Sequence, residues 1–454
     1  MDIDGPLDFE SEDLLLKPPT PSKRRKKIIG LDDLVNDYLK ENKKLELKAK
    51  RTKARKNYYS DDEEDSVEAK LSECVEKCQK EMGQISGEDE IYLWGLQTFG
   101  DQKTRPSLGF TELGSCKLLQ SFMDNELNSV VELDIEKGEV FLERLLVNGW
   151  LLKLVNASGH VEKSIATWAF GLTLYSSKEA LSASACDFWT AILSPIIEIK
   201  IDWLPSYSEI KGALEIYGFQ STFSSIVSSH VETVNADSDC GGPPHNIRAW
   251  IKYVASCTQV RRYSIFSTSE AEELVVIIIC LFLDRQLLGL SVILHECMLS
   301  VINFFAEDEW STSCEKVAKT IACRVPRDMN SLRTVESISG LDARGKHLRR
   351  AVAFHILVAC LDNKAIDAET ILRILISINV KDKSCDLFKT YMYLVLTENW
   401  LSSNPMLEDK SVIYKLWGVY LRNCSCQITG TDLRSYASKV RSKASYLLQG
   451  TNNQ

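Results

Sequence analysis

Ile366-Asp-Ala-Glu-Thr-Ile-Leu-Arg-Ile-Leu-Ile-Ser-Ile378 sets apolar side chains at helical spacing behind Asp367, whose carboxylate suits a helix N-cap. The same pattern recurs outward in both directions. Ala351–Leu361 and Val412–Leu421 show it, and the long segment Glu270–Phe305 reads as two helices broken near Asp284–Gly289. No run of six or more positions alternates strictly between apolar and polar, so the strand signal is missing. Polar breaks are expected at Val234–His245, which holds Gly241-Gly242-Pro243-Pro244, and at Val325–Lys346. No fixed-period repeat is visible. Residues 91–454 therefore read as an all-α interaction domain, an irregular helical array resembling a solenoid.

Towards the N-terminus the pattern stops. The formal net charge of −9 over 454 residues conceals strong segregation. Residues 1–22 carry six acids against one base, residues 23–56 fourteen bases against five acids, and residues 57–90 twelve acids against three bases. All nine tryptophans lie at or beyond Trp94. Blocks of like charge without large apolar groups cannot offset the entropy of ordering. Residues 1–90 are accordingly expected to form a charged, mostly disordered head. The boundary is expected near 85–90, where Gly83 and Gly87 flank a short polar stretch. The acidic total excludes a protein whose whole surface coats nucleic acid, yet the basic arm reopens that contact for the head.

Met1 is followed by acids and not by a basic, then apolar, export signal. The longest apolar run, Leu274–Leu283, ends at Asp284-Arg285 and is half the length of a membrane span, so it is expected to be a buried helix. Fourteen cysteines without paired rhythm read as reduced, buried thiols. Pro-Pro-Thr-Pro-Ser at 18–22 leads into Lys23, Arg24, Arg25, Lys26 and Lys27, and a second cluster holds Lys48, Lys50, Arg51, Lys53, Arg55 and Lys56. Such runs suit nuclear import or nucleic-acid contact, and a nuclear location is expected. Tyr58-Tyr59 beside them could stack on bases. Thr20-Pro21 fits a proline-directed kinase, and Ser60 before five acids fits an acidophilic one.

Inside the head, Leu31, Leu34, Val35, Tyr38 and Leu39 fall on one helical face, with Asp32, Asp33 and Asp37 near its start. A helix so short is marginal in water and is expected to order only on a partner protein or on the chain's own body.

Candidate chemistry is thin. Gly340-Leu-Asp-Ala-Arg-Gly345-Lys346-His347 matches a phosphate-binding loop at seven of eight positions, but His347 replaces the hydroxyl that would hold magnesium. The more economical reading is a polar loop capping a helix that starts near His347. His295-Glu296-Cys297 lacks a second histidine and reads as core. Cys74 with Cys78, and Cys424 with Cys426, lack the second close pair a zinc site recruits. Arg344, Lys346, His347, Arg349 and Arg350 form a second basic cluster, either a nucleic-acid contact or a solvated helix face. No catalytic residue, cofactor or metal is expected.

Several stretches resemble the CANIN-domain family, the coiled-coil SMC-interacting proteins that include the SMC complex localisation factor two proteins. Gly30-Leu-Asp-Asp-Leu-Val-Asn-Asp-Tyr-Leu-Lys-Glu-Asn-Lys-Lys44 resembles the charged helix before that family's domain. Asp187-Phe-Trp-Thr-Ala-Ile-Leu, with Trp203-Leu-Pro-Ser-Tyr-Ser-Glu-Ile-Lys-Gly-Ala-Leu-Glu-Ile-Tyr-Gly218, resembles its central segment, and Arg344-Gly-Lys-His-Leu-Arg-Arg-Ala-Val-Ala-Phe354 a later helix start. The compact length is closer to the plant members. The resemblance implies a non-enzymatic regulatory subunit that pairs with a second helical subunit and recruits or loads the fifth-and-sixth-member SMC complex on chromatin in DNA repair. The alternatives are a nucleotide-binding regulator or NTPase using residues 340–347, and a DNA-binding adaptor acting through residues 23–56. No membrane contact is expected.

Overall fold

The structure is a computed structural model. It describes residues 94–107, 116–124, 135–194, 199–220, 242–260, 265–363, 367–402 and 411–451, all within the unit Glu81–Gln454. The expected boundary near 85–90 lies outside the described residues. Within them the all-α expectation holds.

The first half contains α1 (Lys117–Met123), α2 (Ile135–Val147), α3 (Trp150–Ser158), α4 (Lys163–Tyr175), α5 (Glu179–Ile192), α6 (Tyr207–Ile216) and α7 (Ile247–Gln259). There follow α8 (Thr268–Phe282), a 3₁₀-helix (Arg285–Leu290), α9 (Ser291–Phe304), α10 (Glu307–Arg324) and α11 (Met329–Ser337). The last five are α12 (Ala343–Cys360), α13 (Ala368–Ser377), α14 (Leu387–Leu401), α15 (Ser411–Gln427) and α16 (Ala437–Thr451). Extended pairing among the described residues is confined to two short parallel strands, His160–Val161 with Lys200–Ile201, and one antiparallel bridge between Phe99 and Phe219.

Helices stack mainly on the helix two places along. One layer runs α5, α7, α9, and the other α8, α10, α12, α14, α16, with α8 against α9 and α9 against α12 joining them. Such alternation is how a solenoid extends one core. Caps set the helix starts. Ser206 with Glu209, and Ser267 with Glu270, form capping boxes in which the hydroxyl accepts the third amide and the glutamate reaches back to the cap's N–H. Asp367 accepts from the Thr370 N–H at 2.9 Å, so the expected cap of α13 is present. The Asp284–Gly289 break is present too: Asp284 caps the 3₁₀-helix by accepting from Gln286 N–H at 2.9 Å.

Two expectations fail at their edges. The segment expected to be a polar break, Val325–Lys346, contains α11, whose Asn330, Ser331, Thr334 and Ser337 are buried. Their hydroxyls are satisfied locally: Thr334 donates to Asn330 O at 2.8 Å, and Ser331 to Pro326 O at 2.7 Å. Met329, Leu332 and Val335, three apart, supply the short apolar stripe that packs on the core, and the polar side chains between them can be buried because they bond nearby backbone. Likewise α12 starts at Ala343, not near His347, because Asp342 is its cap and accepts from Gly345 N–H at 2.6 Å.

The segment from Trp94 to Lys103 is a strap across the helix ends. Leu96 N–H donates to Leu283 O at 2.8 Å, Gly100 N–H to Gly218 O at 2.9 Å, and Lys103 N–H to Ile216 O at 2.8 Å. The Trp94 ring lies 5.9 Å from Arg285 and 4.7 Å from Arg333. Gly95 beside it has φ +120°, and a Cβ there would sit 2.4 Å from Arg285 Cδ, so only glycine permits the approach.

Candidate functional site

The most unusual surface lies on α9. Its inner face, Leu294, Cys297, Met298, Val301 and Ile302, is buried against α7, α8 and α12. Its outer face carries Val292 at 68 % exposure and Leu299 at 42 %, and the preceding 3₁₀-helix adds Leu288 at 44 %. Val292 and Leu299, seven residues apart, share one face of α9 with the exposed Glu296 between them, and Leu288 stands on the 3₁₀-helix just before it. By length and composition Arg285–Phe304 could cross a membrane, yet it is a core helix on one side and only a third of its most apolar window is buried. Each of these side chains is about half exposed and so forgoes about 1 kcal/mol of the burial it could gain. A covering surface would recover it.

His295 sits between the two faces. Its Nδ1 lies 2.7 Å from Ser291 O, and its ring meets Phe282 edge-on at 4.5 Å, so it is a satisfied half-buried histidine, as its sequence setting implies. Asp284, the acid closing the apolar run, is 3 % exposed and accepts from both the Thr98 N–H (3.0 Å) and the Thr98 hydroxyl (2.6 Å). Sequence reading missed this anchor because its partner stands 186 residues away.

The basic cluster of α12 does not act as one face. Arg344 turns inward: its Nη1 donates to Ile302 O at 2.9 Å and Phe305 O at 2.8 Å, satisfying carbonyls at the C-terminus of α9. Its other nitrogen pairs with Glu307, and its guanidinium lies 5.9 Å from the Trp310 ring. His347 packs edge-on to Trp310 at 6.4 Å. Burial, and then the charge of Arg350, hold its pKa below the ordinary 6.5. Lys346 is exposed and Arg349 half-buried, and both line a separate cleft against α14 and α16.

The Gly340–His347 segment differs from a phosphate loop in structure as well as in sequence. No strand enters it among the described residues, and Asp342 takes the Gly345 amide that a phosphate would need. A Cβ at Gly345 would meet Ser339 O at 2.6 Å, so this glycine serves the tight turn.

The expected burial of the thiols holds in part: seven of the eleven cysteines among the described residues are buried, Cys360 and Cys385 are half-buried, and Cys323 and Cys426 are exposed. Burial pushes Cys186 up to about 11, and Cys257, Cys280, Cys314 and Cys424 up to about 12. Cys424 is buried and Cys426 exposed, so that pair does not converge. Among the described residues no three His, Cys, Asp or Glu side chains gather as a metal site would require. The head positions lie outside the described residues: Leu31, Leu34, Val35, Tyr38, Leu39, the basic clusters, Thr20, Ser60, Cys74 and Cys78.

No protein-family model and no curated protein matches the chain. Of the stretches quoted for the CANIN resemblance, residues 30–44 lie outside the described residues, and the others fall on the end of α5, on the cap and length of α6, and on the first half of α12.

Proposed function

We propose that this protein is a non-catalytic nuclear scaffold, a regulatory subunit that recruits or loads the fifth-and-sixth-member SMC complex on chromatin during DNA repair. The observation that carries the scaffold reading is the set of uncovered apolar residues Val292 and Leu299, with Leu288 just before them, on a helix whose other face is core. A second helical subunit laid along α9 would bury them as helices pack on one another within the body. The SMC complex as the recruited machine rests on the resemblance of residues 30–44, 187–193, 203–218 and 344–354. The basic arm at 23–56 would add a weak, salt-dependent contact to DNA.

The test is affinity purification of the full chain from nuclei of its source, with mass spectrometry. SMC-complex subunits and one helical partner should co-purify with the intact chain, and Val292→Asp with Leu299→Asp should lose the partner while the protein stays folded. Purification without any SMC-complex subunit overturns the recruitment reading, and full partner retention by the double variant overturns the role of α9.

A further inference from the structure

The motif at 340–347 leaves a question that neither the scaffold nor the failed phosphate loop answers: what Lys346 and Arg349 are for. Both point into a cleft of about 320 Å³ between the turn before α12 and the helices α14 and α16. Its walls include Glu336, Gly340, Glu398 and Lys443. The two carboxylates are already engaged, Glu336 by Arg333 at 3.4 Å and Glu398 by Lys443 at 2.7 Å. Lys346 makes no ion pair among the described residues, and the Nε of Arg349 is buried with no acceptor. A buried N–H without an acceptor costs about 1–3 kcal/mol, so Arg349 carries donor capacity the described protein does not use, and the residue lines the cleft where an anion would sit. Gly340 matters for the same reason. A Cβ on it would lie 3.0 Å from Arg349 Nη1, so its bare backbone leaves room for the guanidinium beside the turn.

We propose that this cleft is a binding site for a single phosphate monoester, with Arg349 and Lys346 as the two cations that hold the dianion. Two unmatched positive charges fit one phosphate group. The carboxylates of Glu336 and Glu398 border the site, so a polyphosphate would bring extra charge against them, whereas donors on the rest of a monoester, hydroxyl or amide N–H, would find acceptors there. The site is therefore different in kind from a triphosphate loop: the cations come from the flank of α12, and its amides take no part. The inference is independent of the SMC assignment.

Calorimetric titration and thermal-shift measurement on the full chain test it, using inorganic phosphate, O-phosphoserine, adenosine monophosphate and magnesium-ATP, with serine and chloride as controls. The three monophosphate probes should give saturable binding below about 10 mM, and their order separates free phosphate from a phosphorylated side chain or a nucleotide. Lys346→Ala, at an exposed position, should weaken binding about tenfold with an unchanged melting temperature in the absence of ligand. Arg349→Gln should weaken it further, and Lys415→Ala, at an exposed position of α15 that does not line the cleft, should leave it intact. The proposal fails if no probe saturates, if chloride shifts the melt equally, or if Lys346→Ala binds as the parent does. Tighter binding of magnesium-ATP than of every monophosphate overturns the single-phosphate assignment.

Discussion

Helices α8 and α9 follow one another in the chain, and both are dominated by aliphatic residues, but they meet the rest of the protein differently. Every residue from Leu274 to Phe282 of α8 is buried, because α9, α10, α11 and the 3₁₀-helix close around it. On α9 the same kinds of side chain divide into a covered face and an open one, with Val292 at 68 % exposure. Apolar composition therefore does not state how much of a helix is core. A helix that is hydrophobic all round has to be covered all round, and α9 is covered on one side by its own chain. The remaining side is what the scaffold reading assigns to another protein.

The comparison can be broken at its strongest point first. Ile278→Ala, deep in α8, should cost about 2–5 kcal/mol in a urea unfolding midpoint, since the cavity has helices on all sides and cannot collapse. A loss under about 1 kcal/mol there would mean α8 is less enclosed than its contacts show. Next is the joint between the two helices. Asp284→Ala leaves the Thr98 N–H and hydroxyl without their acceptor, and about 1–3 kcal/mol should be lost, with the strap at Trp94–Lys103 becoming the first amides to exchange with solvent.

A smaller effect probes the covered side of α9 through α12. His347 has its pKa lowered by burial and then by Arg350, so the unfolded chain binds its proton more readily than the folded one. Stability from this group is complete above the ordinary 6.5 and is lost as pH falls through the lower folded value. His347→Gln should flatten the acid side of a melting-temperature profile between neutral pH and that lower value. An unchanged profile would show that the imidazole is solvated.

The smallest expected effect is the most telling for function. Val292→Ala on the open face should change stability by no more than about 0.5 kcal/mol, against several for Ile278→Ala in α8. A larger loss in the isolated chain would mean that this face is already covered within this protein, and the contrast with α8 would vanish.

Much of the fold was legible. Asp367 announced α13, the Asp284–Gly289 break separated α8 from α9, and Val412–Leu421 lies within α15. These features are local: a cap, an interruption and a period of 3.6 are written within one turn or two. What escaped reading depended on partners far along the chain. The polar segment Met329–Ser337 is a helix because its hydroxyls bond backward while its neighbours bury it. The basic run at 344–350 looks like one charged face, yet Arg344 ends up capping α9 across 42 residues, and Lys346 and Arg349 turn to a cleft shared with α14 and α16.

By itself, then, the sequence determined that the body is helical and that charge is concentrated in the first ninety residues, because periodicity and like-charge blocks act over a few residues. Only the tertiary structure decided that α8 is sealed while α9 and the 3₁₀-helix before it keep Val292, Leu299 and Leu288 outside, and that Lys346 and Arg349 face a cleft whose glutamates pair with other cations. The reason is physical: a helical stripe defines a face, but which surface covers that face, and which charges remain unpaired, is set by non-local packing.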